Sequence, residues 1–193
     1  MASYTTRVLA DSLKKLISEK NLDVITVKEI AEDCEMNRKT FYYNFHGIPD
    51  LIKWMLVTEM CTALDHNCTV ATWYRGFSSV MQYMVDNQTM IYSICASKYW
   101  PEVRMYLGQQ CDRSMKVFVV DTLRCYQEQQ GREYHISKAN MHYIIRAYSM
   151  LKFSMMEEWF LGGMNETIDE FLTMFAKLLN HNLYTVFELL DGE

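Results

Sequence analysis

Glycine and proline are scarce, at seven and two in 193 residues, under half of the roughly 12% the two supply in an average chain. So few breakers cannot serve the turn every roughly 8 to 12 residues that a sandwich or barrel needs. An excess of positive charge is missing too. Nineteen basic against twenty-four acidic residues leave a net charge of −5, which excludes a protein that coats nucleic acid or an anionic membrane through its overall field. No stretch free of Asp, Glu, Lys and Arg is longer than Asn87 to Ser97, too short for the roughly 18 apolar residues of a spanning helix. No CxxC pair occurs among the cysteines at 34, 61, 68, 95, 111 and 125, and the chain opens on the polar run MASYTTR. Those two facts set the expectation of a leaderless protein in the reducing cytoplasm, with no membrane contact.

Catalytic signatures are also absent. There is no phosphate-cradling glycine loop, no HExxH and no GxSxG, and the histidines at 46, 66, 135, 142 and 181 are dispersed, so no enzyme, cofactor or metal centre is expected. Cys61, Asp65, His66 and Cys68 can be drawn as a metal site, but they lack paired-ligand spacing and read better as accidental neighbours on a helix. What remains is a chain half apolar and 22% charged, enough for a sizeable core. Its periodicity is helical throughout.

A first helix covers about residues 5 to 20, with Leu9, Leu13, Leu16 and Ile17 as its stripe. Thr26-Val27-Lys28-Glu29 reads as a capping box that opens a second helix carrying Val27, Ile30, Ala31 and Cys34 inward. After Glu35-Met36, Asn37 caps a short third helix from Arg38 to about Asn44. It would bury Phe41 and Phe45 and present Arg38, Lys39, Thr40 and Tyr43. Pro49 suits the first turn of a fourth helix with Leu51, Ile52, Met55, Leu56 and Met60 inward. Beyond it, Trp73 to Val85, Met90 to Tyr99, a long stretch from Pro101 to about Gln130, Ser137 to Phe160, and a last helix behind the capping box Thr167-Ile168-Asp169-Glu170 complete an all-α chain of about nine helices. In the Ser137 to Phe160 helix, Met141, Ile144, Ile145, Tyr148, Leu151, Met155 and Trp159 share one side. The expected division is 1–60 and 61–193.

Two short helices joined by a three-residue turn, the second offering Arg38, Lys39, Thr40 and Tyr43, have the shape of a DNA-reading helix-turn-helix. Met36 to Pro49 holds no acidic residue, although residues 1–60 sum to −1. Composition alone allows a solvated surface helix equally well. The order of residues goes further: Thr26 to Cys34, followed by Met36 to Phe45 with Tyr42 and Phe45 as a Tyr-x-x-Phe pair, resembles the N-terminal domain of TetR-family transcriptional regulators. Phe41 to Phe45 with Asp50, Leu51, Ile52 and Trp54 is most similar to the branch holding the dihydroxyacetone kinase operon activators. The resemblance implies that Thr26, Lys28, Thr40 and Tyr42 hold phosphates and that Arg38, Lys39 and Tyr43 reach base edges, with Asn37 and Asn44 completing the DNA-facing set. Two positions depart from the family's pattern. Glu35 stands where a glycine is usual, and Ile48 where a phosphate-contacting lysine is usual. With both weakening the backbone contact, Lys28, Lys53, Thr5, Thr6 and Arg7 are the remaining supports.

The same resemblance implies that 61–193 binds a small-molecule effector and dimerises through its last two helices on a double-stranded DNA operator. A final helix apolar over more than a third of its circumference independently asks for a partner. An apolar pocket with few polar groups draws its candidates from Trp73, Tyr83, Tyr92, Trp100, Tyr143 and Tyr148, with Arg104 and Arg146 as polar anchors. The other reading is a co-regulator that has lost DNA binding and acts through a protein partner, to which Glu35 and Ile48 point.

Overall fold

Helix α1 (Tyr4–Glu19) buries Leu9, Leu13, Leu16 and Ile17 and turns Lys15 and Glu19 to solvent, as an apolar stripe of helical period requires. The computed structural model describes residues 4–65 and 67–192, without the side chains at 63, 65, 180 and 181. After a 3-10 turn at Leu22–Val24, Thr26 caps α2 (Val27–Asp33). The Thr26 hydroxyl accepts from the Glu29 N–H, and the Glu29 carboxylate accepts from the Thr26 N–H at 2.9 Å. Both halves of the capping box are thus formed.

The Lys20 ammonium contacts the same carboxylate at 2.5 Å. That contact, followed by those from Thr26, pulls the Glu29 carboxyl from 4.5 down to about 2. A carboxylate lowered by folding contributes stability above its unfolded pKa and loses it as pH falls through the folded one. Glu29→Gln should therefore be less stable than the parent at neutral pH, with the difference shrinking between about pH 4.5 and about pH 2. Urea midpoints across that window check it.

Asn37 caps α3 (Arg38–Asn44), its carboxamide oxygen accepting from the Thr40 N–H at 3.0 Å. Helix α4 (Ile48–Leu56) follows, with Pro49 in its first turn and Leu51, Ile52, Met55 and Leu56 buried. A π-helical turn (Val57–Cys61) and a single turn α5 (Thr62–Asp65) lead to α6 (Trp73–Asp86), α7 (Gln88–Cys95) and α8 (Trp100–Gln130). Gly131 stops α8 in the left-handed region at φ 63°. Ser137 then caps α9 (Lys138–Leu161), and Thr167 caps α10 (Ile168–Leu189) with a second complete box. The described residues thus hold nine helices of seven residues or more and no strand. Gly76 has a packing reason: a Cβ there would sit 2.5 Å from the Asn67 carbonyl oxygen.

Two expectations change. The segment from Met90 to Tyr99 is helical only to Cys95 and begins earlier, at Gln88. On α9 the buried positions are Ile144, Ser149, Lys152, Met156, Trp159 and Phe160; of the expected stripe Ile144 and Trp159 are buried, Met141, Ile145, Tyr148 and Met155 are half-buried, and Leu151 faces solvent. The helix is apolar on more than one side, so its period could not say which side the core would take.

Contacts group the chain into two compact units: the residues up to Met60 with Tyr83–Leu107, and Cys61–Gln82 with everything from Gly108 on. In the first, α1 packs against α2, α4 and α7, and α2 against α3. In the second, Trp73, Phe77, Phe118, Phe171 and Phe175 form an aromatic cluster with centroids 5.7 to 6.4 Å apart.

Candidate nucleic-acid interface

Helix α3 is seven residues long, so its position depends on what it buries rather than on propensity. Phe41 is fully buried, with ring centroids 5.6 Å from Tyr42 and 5.9 Å from Phe45. Phe45 in turn lies edge-on to Trp54 of α4. With that side pinned, the other faces water. Arg38, Lys39, Tyr42 and Tyr43 are exposed, Tyr43 at 91%.

Arg38 and Lys39 occupy the first turn of α3, where the helix dipole disfavours cations. Neither has a carboxylate partner among the described residues. Local stability therefore gives no reason for them, and an outside anion does, because a helix N-terminus with two free cations suits a phosphate or the acceptor edge of guanine. Thr40 is half-buried at the start of the same helix. Asn44 instead closes its end, donating to the Thr40 carbonyl at 2.8 Å, and Asn37 spends its carboxamide oxygen on the cap. Thr26 and Lys28 begin α2, where Lys28 is exposed and pairs loosely with Glu32 at 3.6 Å.

The turn between α2 and α3 is a Schellman motif. The Met36 N–H donates to the Ala31 carbonyl and the Glu35 N–H to the Glu32 carbonyl. Glu35 holds the left-handed position at φ 54°, which costs a residue with a Cβ roughly 1–2 kcal/mol. Glu35→Gly relieves that strain at the cost of glycine's extra unfolded freedom, so a net gain of about 0.5–1 kcal/mol is expected. It also removes an exposed negative charge beside α3, so chemical denaturation should shift upward, and any affinity of this face for an anionic partner should rise with it.

Ile48 is buried at the start of α4 and Thr6 in α1. Lys53 is held by Glu102 at 2.8 Å and Asp50 at 3.1 Å, and the Glu102 carboxylate leads in pushing its pKa up. Of the supporting cations, Lys28 and Arg7 remain exposed.

The effector candidates scatter. Trp73 belongs to the aromatic cluster of the second unit. Tyr83 donates to the Glu59 carboxylate at 2.8 Å, Tyr92 and Trp100 are half-buried, and Arg104 is exposed, all four in the first unit. Tyr143 is 72% exposed and lines a groove of about 430 Å³ between α9 and α10, with Ala147, half-buried Tyr148, Leu151, Asn182 and Val186. Arg146 lines a different cavity and pairs with Asp112 at 3.0 Å.

Composition and period did not point to Lys152. It is 1% exposed, donates to the Ser114 hydroxyl at 2.7 Å and lies 4.0 Å from the Phe77 ring centroid. The metal sketch around His66 and the side chain of Asp65 lies outside the described residues. Among those described, no cluster of three or more His, Cys, Asp or Glu could hold a metal ion, and no helix is long and apolar enough to cross a membrane.

Residues 71–181 match a family described as the transcriptional regulator C-terminal region. A curated relative, the HTH-type dhaKLM operon transcriptional activator DhaS of Lactococcus lactis, is 23% identical over 84 residues, 44% of this chain and 45% of that protein. The match thus spans less than half of the curated relative's length. A solved structure, the dihydroxyacetone kinase operon activator DhaS, shares the fold with a TM-score of 0.67 and 16% identity, over 98% of this chain and 99% of that one.

Proposed function

Since the chain belongs to the TetR family of transcriptional regulators, we propose that it binds a pseudo-palindromic operator as a homodimer and that a small effector in residues 61–193 sets its affinity. Residues 1–60 are the DNA-binding domain in this reading. Arg38, Lys39 and Tyr43 meet base edges, and Thr26, Lys28, Thr40 and Tyr42 the phosphates. The observation that carries it is the pair of cations in the first turn of α3, exposed, without a carboxylate partner among the described residues, and within the acid-free run from Met36 to Pro49. The protein works as a cytoplasmic regulator and not as an enzyme.

The exposed apolar row on the last two helices supports the dimer. Tyr143, Met150 and Leu151 on α9 and Met174, Leu178 and Leu189 on α10 are all solvent-exposed, a surface that a second copy would cover. Light scattering at micromolar concentration should give twice the 22.9 kDa of one chain, and Met174→Glu with Leu178→Glu should shift it to the single-chain mass.

Mobility shift on the DNA upstream of the protein's own gene, at stated salt, tests the function itself. The expected result is a footprint of two half-sites about one DNA turn, or a small multiple of it, apart. Absence of binding to any upstream DNA would favour the second reading, a co-regulator acting through a protein partner. That reading draws on Glu35 beside α3, buried Ile48, and the capture of Lys53 by Asp50 and Glu102.

A further inference from the structure

Residues 61–193 carry a net charge of −4, yet one cavity in the second unit reverses that sign. It is an open cleft of about 470 Å³ between α8 and the first half of α9. Arg113 and Lys116 line it from α8, and Lys138 and Arg146 from α9. His142 stands one turn from each of the latter two, and Asp112 is the single carboxylate in the lining.

Asp112 is already spent on Arg146, at 3.0 Å. Among the described residues Arg113 reaches only the neutral Gln110 side chain, at 3.3 Å. Lys116 and Lys138 are exposed and have no ion pair among the described residues. Three cations in one concavity thus lack a counter-charge. Ile136, Met141 and Ile145 supply an apolar wall beside them.

Like charges converging on a cavity repel one another, and an anion bound among them relieves that repulsion while gaining charge-assisted hydrogen bonds. The volume lies within the roughly 300–1,000 Å³ of small-molecule sites, and the apolar wall would remain wet around a bare inorganic ion. We propose that this cavity binds a small organic anion, with a phosphate or carboxylate head among Arg113, Lys116 and Lys138 and an apolar body against Ile136, Met141 and Ile145, and that this anion is the effector. The inference rests on the reading of 61–193 as the effector-binding region and supplies the ligand's chemical class.

The test uses the full chain and calorimetric titration with 1-naphthyl phosphate, with 1-naphthol and inorganic phosphate as part-probes. The expected result is that 1-naphthyl phosphate binds at least tenfold more tightly than either. Lys116→Ala with Lys138→Ala should weaken it at least tenfold, with circular dichroism unchanged. Lys177→Ala, an exposed cation on α10, should leave it unaltered. Equal affinity for naphthol and naphthyl phosphate, or a double variant that binds like Lys177→Ala, overturns the site. A parallel mobility shift separates the two claims. Anion binding that leaves operator affinity unchanged overturns the effector role while the site stands, and operator binding intact with no anion bound overturns the site while the regulator reading stands.

Discussion

A chain carrying Arg38→Ala and Lys39→Ala should lose operator binding while keeping its fold. Each cation that pairs with a base edge contributes about 1–3 kcal/mol, so removing both is expected to weaken binding on the order of thirtyfold or more. Neither side chain makes an ion pair among the described residues, and both stand at the unfavourable end of the α3 dipole. The variant should therefore unfold at the parent's denaturant midpoint or slightly above it. The comparison is made by mobility shift at two salt concentrations, because a phosphate contact and a base contact leave different traces. Loss of a phosphate contact lowers the salt slope by about one, whereas loss of a base contact relaxes preference at one operator position. Unchanged affinity for the operator would remove α3 as the reading helix.

Phe41→Ala should destabilise the N-terminal helices by about 3–5 kcal/mol. Its ring is fully buried and packs against Phe45, and a seven-residue helix has no stability of its own to replace that contact. Tyr43→Ala, two residues on, should change stability by no more than about 0.5 kcal/mol, since that ring is 91% exposed, yet it should weaken DNA binding. The two substitutions thus separate the inward and outward sides of one helix. Urea titration followed by circular dichroism reads the first effect. If the units unfold separately, a second transition should emerge at low denaturant in Phe41→Ala alone.

Much of the candidate interface was legible before any coordinates because it is written in short-range rules. A threonine three residues before a glutamate, an asparagine before Arg38 and a proline at position 49 each satisfy or excuse a backbone donor within one turn. All three stand in the structure as read. The departure at Glu35 was visible too, but its left-handed backbone, held by the Met36 and Glu35 donors, was not. The basic cavity had a signal that went unused: Lys138, His142 and Arg146 recur every four residues, and Arg113 and Lys116 are three apart, so each set shares a helix face.

The sequence by itself determined the helices, their caps, the inward Phe41 and Phe45, and the acid-free run from Met36 to Pro49, since these depend on neighbours within a few residues. Tertiary structure alone decided which stripe of α9 is covered. It buried Lys152 and Ser149 where the apolar period favoured Tyr148, Leu151 and Met155, gave Lys53 to Glu102, and placed the cations of α8 and α9 around one cavity. Those outcomes depend on residues 30 to 50 positions apart along the chain. Local periodicity carries no information about such a partner, because burial is settled by which surfaces meet and not by the spacing within either one.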